Sequence, residues 1–97
     1  VNNNKKEHEE TQVQIFPNPN NGEFSVSYVA KQAGKVVFEL YSSTATLIHT
    51  KESIVHQKGA KLSEQFEISH ANLSDGLYFL KIIFEDGNYY ISKILKH

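Results

Sequence analysis

Polar and apolar residues alternate along most of this chain with a period of two. In residues 23–29, EFSVSYV, Phe24, Val26 and Tyr28 fall on one side and Glu23, Ser25 and Ser27 on the other. In 35–41, KVVFELY, Val36, Phe38 and Leu40 share a side. Residues 62–69, LSEQFEIS, set Leu62, Phe66 and Ile68 against Ser63, Gln65, Glu67 and Ser69. Successive side chains of a strand point to opposite faces, so such runs predict half-buried β-strands. A shorter run at 13–16 predicts a brief strand, and 46–55 predicts an edge strand pair or one bent strand. Phe24, Phe38, Phe66, Leu80 and Ile82 are the expected core. No segment carries a 3.6-residue apolar stripe long enough for a helix, and there is no internal repeat.

The strongest pattern closes the chain, GLYFLKIIFEDGNYYISKILKH from Gly76 to His97. Tyr78, Leu80, Ile82 and Phe84 share one face; Leu77, Phe79 and Ile83 share the other, interrupted by Lys81. A strand apolar on nearly both sides is expected to be central or covered on both faces. Asp86-Gly87 has the chemistry of a type I′ turn and should fold 89–96 back as an antiparallel partner. The last strand is therefore expected to be held in a sheet, although chain ends usually fray. Lys93 and Lys96 should point to opposite faces, with Ile94 and Leu95 anchoring the strand between them.

Turn chemistry separates the runs: Asn20-Asn21-Gly22, Gln32-Ala33-Gly34, Lys58-Gly59, Asp75-Gly76 and Asp86-Gly87. Strands at roughly 10–15 residue spacing suggest an all-β sandwich. Residues 1–12, VNNNKKEHEETQ, lack any period and hold one apolar residue, Val1. They read as a solvated linker, and 13–97 as a single domain. A short helix over 5–10 would be marginal alone.

Composition narrows the function classes. With 97 residues the chain supports one modest core. The net charge is −1 and all ten basic residues are Lys, which gives no basic face for nucleic acid. Cys is absent, which removes disulfides, thiolate nucleophiles and thiolate metal sites. No apolar run approaches the roughly 20 residues of a membrane helix. The sequence starts at Val1 and holds no Met, so the expectation is a piece of a longer polypeptide, with any signal peptide upstream.

Two stretches together resemble a known family. One is IFPNPNNGEFSV (15–26), a Pro-Asn-Pro turn followed by Gly and a strand. The other is LSDGLYFLKIIFEDGNYYISKILKH (73–97), in which Gly-Leu-Tyr starts a strand and a Lys-apolar-apolar-Lys run closes it. Neither is specific alone; their order and spacing are. Over about residues 13–97 the chain is similar to the type A C-terminal sorting domain of the Bacteroidetes type IX (Por) secretion system. The resemblance implies an immunoglobulin-like antiparallel β-sandwich of about seven strands. It implies a domain that directs an upstream cargo across the outer membrane. A sortase-like surface protease would then remove it, cutting in the linker. The implied partners are the type IX translocon and shuttle components, that protease, and the cargo domain in cis. The implied location is the periplasm in transit, then the cell surface or medium. The family motifs fall on Pro17, Asn18, Pro19, Gly22 and Phe24, on Gly76, Leu77 and Tyr78, and on Lys93, Ile94, Leu95 and Lys96. Many relatives have Gly-Lys in the mid-domain hairpin, where this chain has Ser42-Ser43-Thr44-Ala45-Thr46, none of which readily takes positive φ. Relatives often end on the Lys or one residue beyond it, so His97 fits the pattern.

Physics supplies plainer roles for the same residues. Pro17 and Pro19 lack N–H donors, fix φ near −65° and bias Asn18 to an extended form, making a stiff lead-in to a strand. Lys on an edge strand is an ordinary defence against edge-to-edge pairing. Under the sorting reading, a receptor would instead add a strand to that edge. No cofactor, metal site or catalytic group is expected. His49 and His56 stand seven apart and His70 is remote from both, unlike the close spacing of zinc ligands. There is no Gly-x-Ser-x-Gly elbow, and Asp75 and Asp86 precede Gly in turns. Glu9-Glu10 sit in the linker. The alternative function is an adhesion or carbohydrate-binding module on an extracellular enzyme, with Tyr41, Tyr89 and Tyr90 as a platform.

Overall fold

A computed structural model of the protein describes residues 13–68 and 73–97. The linker reading of 1–12, the helix at 5–10, Glu9-Glu10, Ser69 and His70 lie outside the described residues.

Seven strands form where the alternation is regular: β1 Gln14–Phe16, β2 Glu23–Val29, β3 Gly34–Ser42, β4 Leu47–Val55, β5 Lys61–Glu67, β6 Gly76–Ile83 and β7 Tyr89–Lys96. Within 46–55 the chain thus makes a single strand, β4, rather than a pair. All pairings are antiparallel, in one sheet of order β1-β2-β5 and another of order β4-β3-β6-β7. Sequential strands β2 and β3 lie in different sheets, and so do β4 and β5, so the chain crosses the sandwich. This three-plus-four arrangement is the immunoglobulin-like sandwich.

The core lies between the sheets. Phe24, Val26 and Tyr28 of β2 and Phe66 of β5 meet Val36, Phe38 and Leu40 of β3, Tyr78, Leu80 and Ile82 of β6, and Ile94 of β7. Burying each such side chain contributes about 1.5–3 kcal/mol. All five expected core residues are buried. The rings interlock: Phe24 stacks on Phe66 at 5.2 Å, and Phe38 meets Phe66 edge-on at 5.4 Å.

Strand β6 is central, between β3 and β7, as its two apolar sides suggest. Its outer face, however, is uncovered among the described residues, with Leu77 exposed and Phe79 and Ile83 half-buried.

Two hairpins depart from the sequence reading. Phe84 and Asn88 pair across a three-residue loop, through Phe84 N to Asn88 O at 2.8 Å, with Gly87 N donating to Phe84 O at 2.9 Å. Positive φ occurs at Gly87 but not at Asp86, so this is not a type I′ turn. The Asp86 carboxylate accepts from Asn88 N–H at 2.9 Å, which holds its pKa below the usual value and favours the longer loop. The β3–β4 hairpin repeats the design, with Ser42 N to Thr46 O and Ala45 N to Ser42 O, both 2.9 Å. Ala45 takes φ +69° there, against the expectation that no residue in this loop would. The Ser42 hydroxyl helps impose it, accepting from both Thr44 N and Thr46 N.

Candidate functional site

The two stretches singled out in the sequence stand at opposite ends of the described chain, yet they meet. After β1 the chain turns through Pro17-Asn18-Pro19, with both Xaa-Pro bonds cis, and runs beside the end of β7. The Asn18 carboxamide bonds the β7 backbone twice. Its Nδ2 donates to Lys93 O at 2.9 Å, and its Oδ1 accepts from Leu95 N at 2.9 Å. Next, Asn20 N donates to Leu95 O at 2.9 Å and His97 N donates to Asn20 O at 2.8 Å. Asn20 and Lys96 form a parallel bridge. Residues 18–20 therefore act as a short extra strand, half of it made by a side chain.

Asn20 holds this turn closed, and sequence reasoning missed it. It is the buried polar residue of the described core, 3% exposed. Its Nδ2 donates to Pro17 O at 3.0 Å and its Oδ1 accepts from Gly22 N at 2.9 Å. A buried carboxamide is tolerated because its donor and acceptor are both matched. The Asn-x-Gly spacing was the available signal, since Asn oxygen commonly accepts from the backbone two residues on.

The arrangement revises how the end of β7 can be approached. Lys93 O, Leu95 N, Leu95 O and His97 N all face away from β6, and all are taken by Asn18 or Asn20. A strand cannot add over 93–97 without displacing the Pro-Asn-Pro segment. Side chains remain on offer. Ile94 anchors the strand at 0% exposure, but Leu95, at 45%, does not. Lys93 and Leu95 point to the outer face, beside their β6 partners Phe79 and Leu77. Lys96 points the other way, with its side chain only 10% exposed and its ammonium 3.2 Å from Asp75 Oδ1. Its partner carboxylate is largely exposed, so the pair contributes at most modestly.

Gly76, Leu77 and Tyr78 have distinct places. Gly22 and Gly76 adopt φ of +110° and +140°, where a side chain would be strained. Leu77 is exposed on the outer face. Tyr78 is buried, and its hydroxyl donates to Ser74 O four residues back. This is the tyrosine-corner arrangement of immunoglobulin-like sandwiches.

On the outer face, Tyr41, Ser43, Ala45, Phe79, Lys81 and Ile91 line an open groove of about 430 Å³. The Lys81 ammonium sits 4.6 Å from the Tyr89 ring centre. The three tyrosines proposed as a sugar platform do not share a face, because Tyr41 and Tyr89 lie outside while Tyr90 packs against the core. Among the described residues, no three His, Cys, Asp or Glu side chains lie close enough together to hold a metal. No helix among them is long and apolar enough to cross a membrane.

Comparison with known proteins points to one family. The family described as "Secretion system C-terminal sorting domain" matches residues 14–97. No curated protein matches. Among solved structures, a β-glucosidase from Listeria innocua is similar at 16% identity and a TM-score of 0.45. The similarity covers 90% of this chain and 16% of the enzyme's, so the chain spans about a sixth of that protein's length.

Proposed function

The chain belongs to the family of type IX secretion system C-terminal sorting domains, and from that membership we propose how the folded domain serves as the address. Its role is that of a sorting signal, which is not itself catalytic, on a protein that is secreted or exported to the surface. In the proposed course, the domain carries an upstream cargo in cis from the periplasm across the outer membrane. Shuttle and translocon components of the type IX machinery recognise it. A sortase-like surface protease then cuts within the polar segment 1–12, ahead of a domain at 13–97, and the cargo stays on the surface or is released.

One observation carries the residue assignment: the two family motifs meet at Asn18, Lys93 and Leu95. Motifs read separately would have no need to touch. Because the backbone edge is closed over 93–97, recognition there goes through side chains. Lys93 and Leu95, with Leu77 beside them, are the exposed members. Pro17, Asn18, Pro19, Gly22, Gly76, Tyr78 and Ile94 then shape and hold that surface, and Lys96 ties it to Asp75.

The test fuses the full 97-residue chain to a reporter in a host with the type IX machinery. The combined Lys93→Ser and Lys96→Ser changes are expected to leave the domain folded and the reporter in the periplasm. Normal surface delivery of that folded variant would overturn the reading. Mass spectrometry of the mature reporter should find its new C-terminus at or before residue 12; an end inside 13–97 would reject the proposed cut.

A further inference from the structure

The Pro-Asn-Pro turn has two separable features. Pro17 and Pro19 have no N–H and give β7 no backbone donor. Lys93 O and Leu95 N–H are therefore met by the Asn18 side chain, while Asn20 N donates to Leu95 O. A carboxamide suits it, because donor and acceptor stand side by side and copy the edge of a peptide group. Asn18 itself is exposed and adds nothing to the hydrophobic core. Its bonds bracket Ile94, whose side chain is locked inside, and they fix the two residues whose side chains point outward.

We propose that Asn18 is a positioning residue of the sorting signal. It holds Lys93 and Leu95 in register on the outer face and acts on export only through that strand, without contact to the machinery. The Asn18 clamp is thus part of the presentation of the signal and not part of what is read. This rests on the reading of Lys93 and Leu95 as the recognised side chains. Each end of the carboxamide makes one bond and keeps a second N–H and a second oxygen lone pair, so a direct role is the competing reading that the exchange measurement separates.

Two variants of the full chain test this, Asn18→Ala and Asn18→Asp, followed by amide hydrogen exchange and by surface delivery of a fused reporter. Loss of two neutral hydrogen bonds in Asn18→Ala should speed exchange at Leu95 and His97 by at least about tenfold. Exchange at Phe38 and Leu80 should change only as much as global stability does. Surface delivery should fall severalfold. Asn18→Asp keeps the acceptor for Leu95 N–H but turns a second acceptor toward Lys93 O, so it too should loosen the strand and lower delivery relative to wild type. Lost delivery with unchanged exchange at Leu95 and His97 would mean that Asn18 is read directly, and would overturn the proposal. So would normal delivery with the strand loosened. Equal acceleration at core and terminal amides would mean a general folding role, and overturns it too. The Lys93→Ser and Lys96→Ser variant separates the two levels: if it is delivered normally, the recognised segment has been misassigned and this inference falls with it.

Discussion

The hydroxyl of Tyr78 donates to the backbone carbonyl of Ser74, tying the start of β6 to the segment before it. Tyr78 belongs to the Gly-Leu-Tyr motif that helped identify the family, yet its side chain is buried. Its contribution is thus to stability. Tyr78→Phe keeps the ring and loses one hydrogen bond, so it should cost about 0.5–1.5 kcal/mol and lower Tm by several degrees. Reporter delivery at a temperature where the variant is folded should match wild type. A full loss of delivery from a folded Tyr78→Phe protein would show that the hydroxyl is read.

Ala45 holds a left-handed backbone conformation at φ +69°. A side chain there costs about 1–2 kcal/mol, partly offset by the extra freedom glycine has in the unfolded chain. Ala45→Gly should therefore stabilise the protein by about 0.5–1 kcal/mol, a rise in Tm of about 2–8 °C. A thermal melt checks this, and a lower Tm would show that the loop relaxes differently.

Phe66 joins the two sheets. It stacks on Phe24, meets Phe38 edge-on, and lies under the Lys51 ammonium at 5.0 Å. Lys51 comes from β4 and also bonds Gln65 O and Glu64 on β5, closing the seam between the sheets. Phe66→Ala should cost about 3–5 kcal/mol, a large share of the roughly 5–10 kcal/mol expected for a small domain. Urea denaturation measures it, and a cost below about 1 kcal/mol would contradict the packing described.

Tyr28 is buried, and its hydroxyl has no hydrogen-bond partner. Burial, reinforced by the nearby Glu64 charge, pushes its pKa up to about 12 from the usual 10.0. The folded state then keeps the phenol proton at pH values where the unfolded chain has lost it. This stabilisation is complete below pH 10 and disappears as pH rises toward 12. Tyr28→Phe should be neutral to slightly stabilising at pH 7, because no bond is broken, and should flatten the alkaline decline. A variant whose stability falls as steeply as wild type between pH 10 and 12 would refute the assignment.

Much of the fold was legible in the sequence. The alternation at 23–29, 35–41 and 62–68 placed Phe24, Phe38 and Phe66 inside, because the two-residue period of a strand is a local property. Loop conformation was less legible. Asp86-Gly87 suggested a two-residue turn, but Asn88 N–H bonding to the Asp86 carboxylate favoured three. Ala45 has no preference for positive φ and was forced into it by hydrogen bonds around Ser42.

The candidate site divides the same way. Sequence alone determined most of the strands and their inward faces, where the chain turns and the motif residues that mark the family. The tertiary structure decided the rest: that β5 pairs with β2 and β6 with β3, and that Asn18 bonds a β7 residue 77 positions away in the sequence. It also decided that Leu95 is displayed while its neighbour Ile94 is buried, and that Asn20 is a buried keystone of the turn. The physical reason is range. A face preference is written in residues two apart, whereas the partner of an edge or of a carboxamide is set by which distant backbone the packed core brings within 3 Å of it.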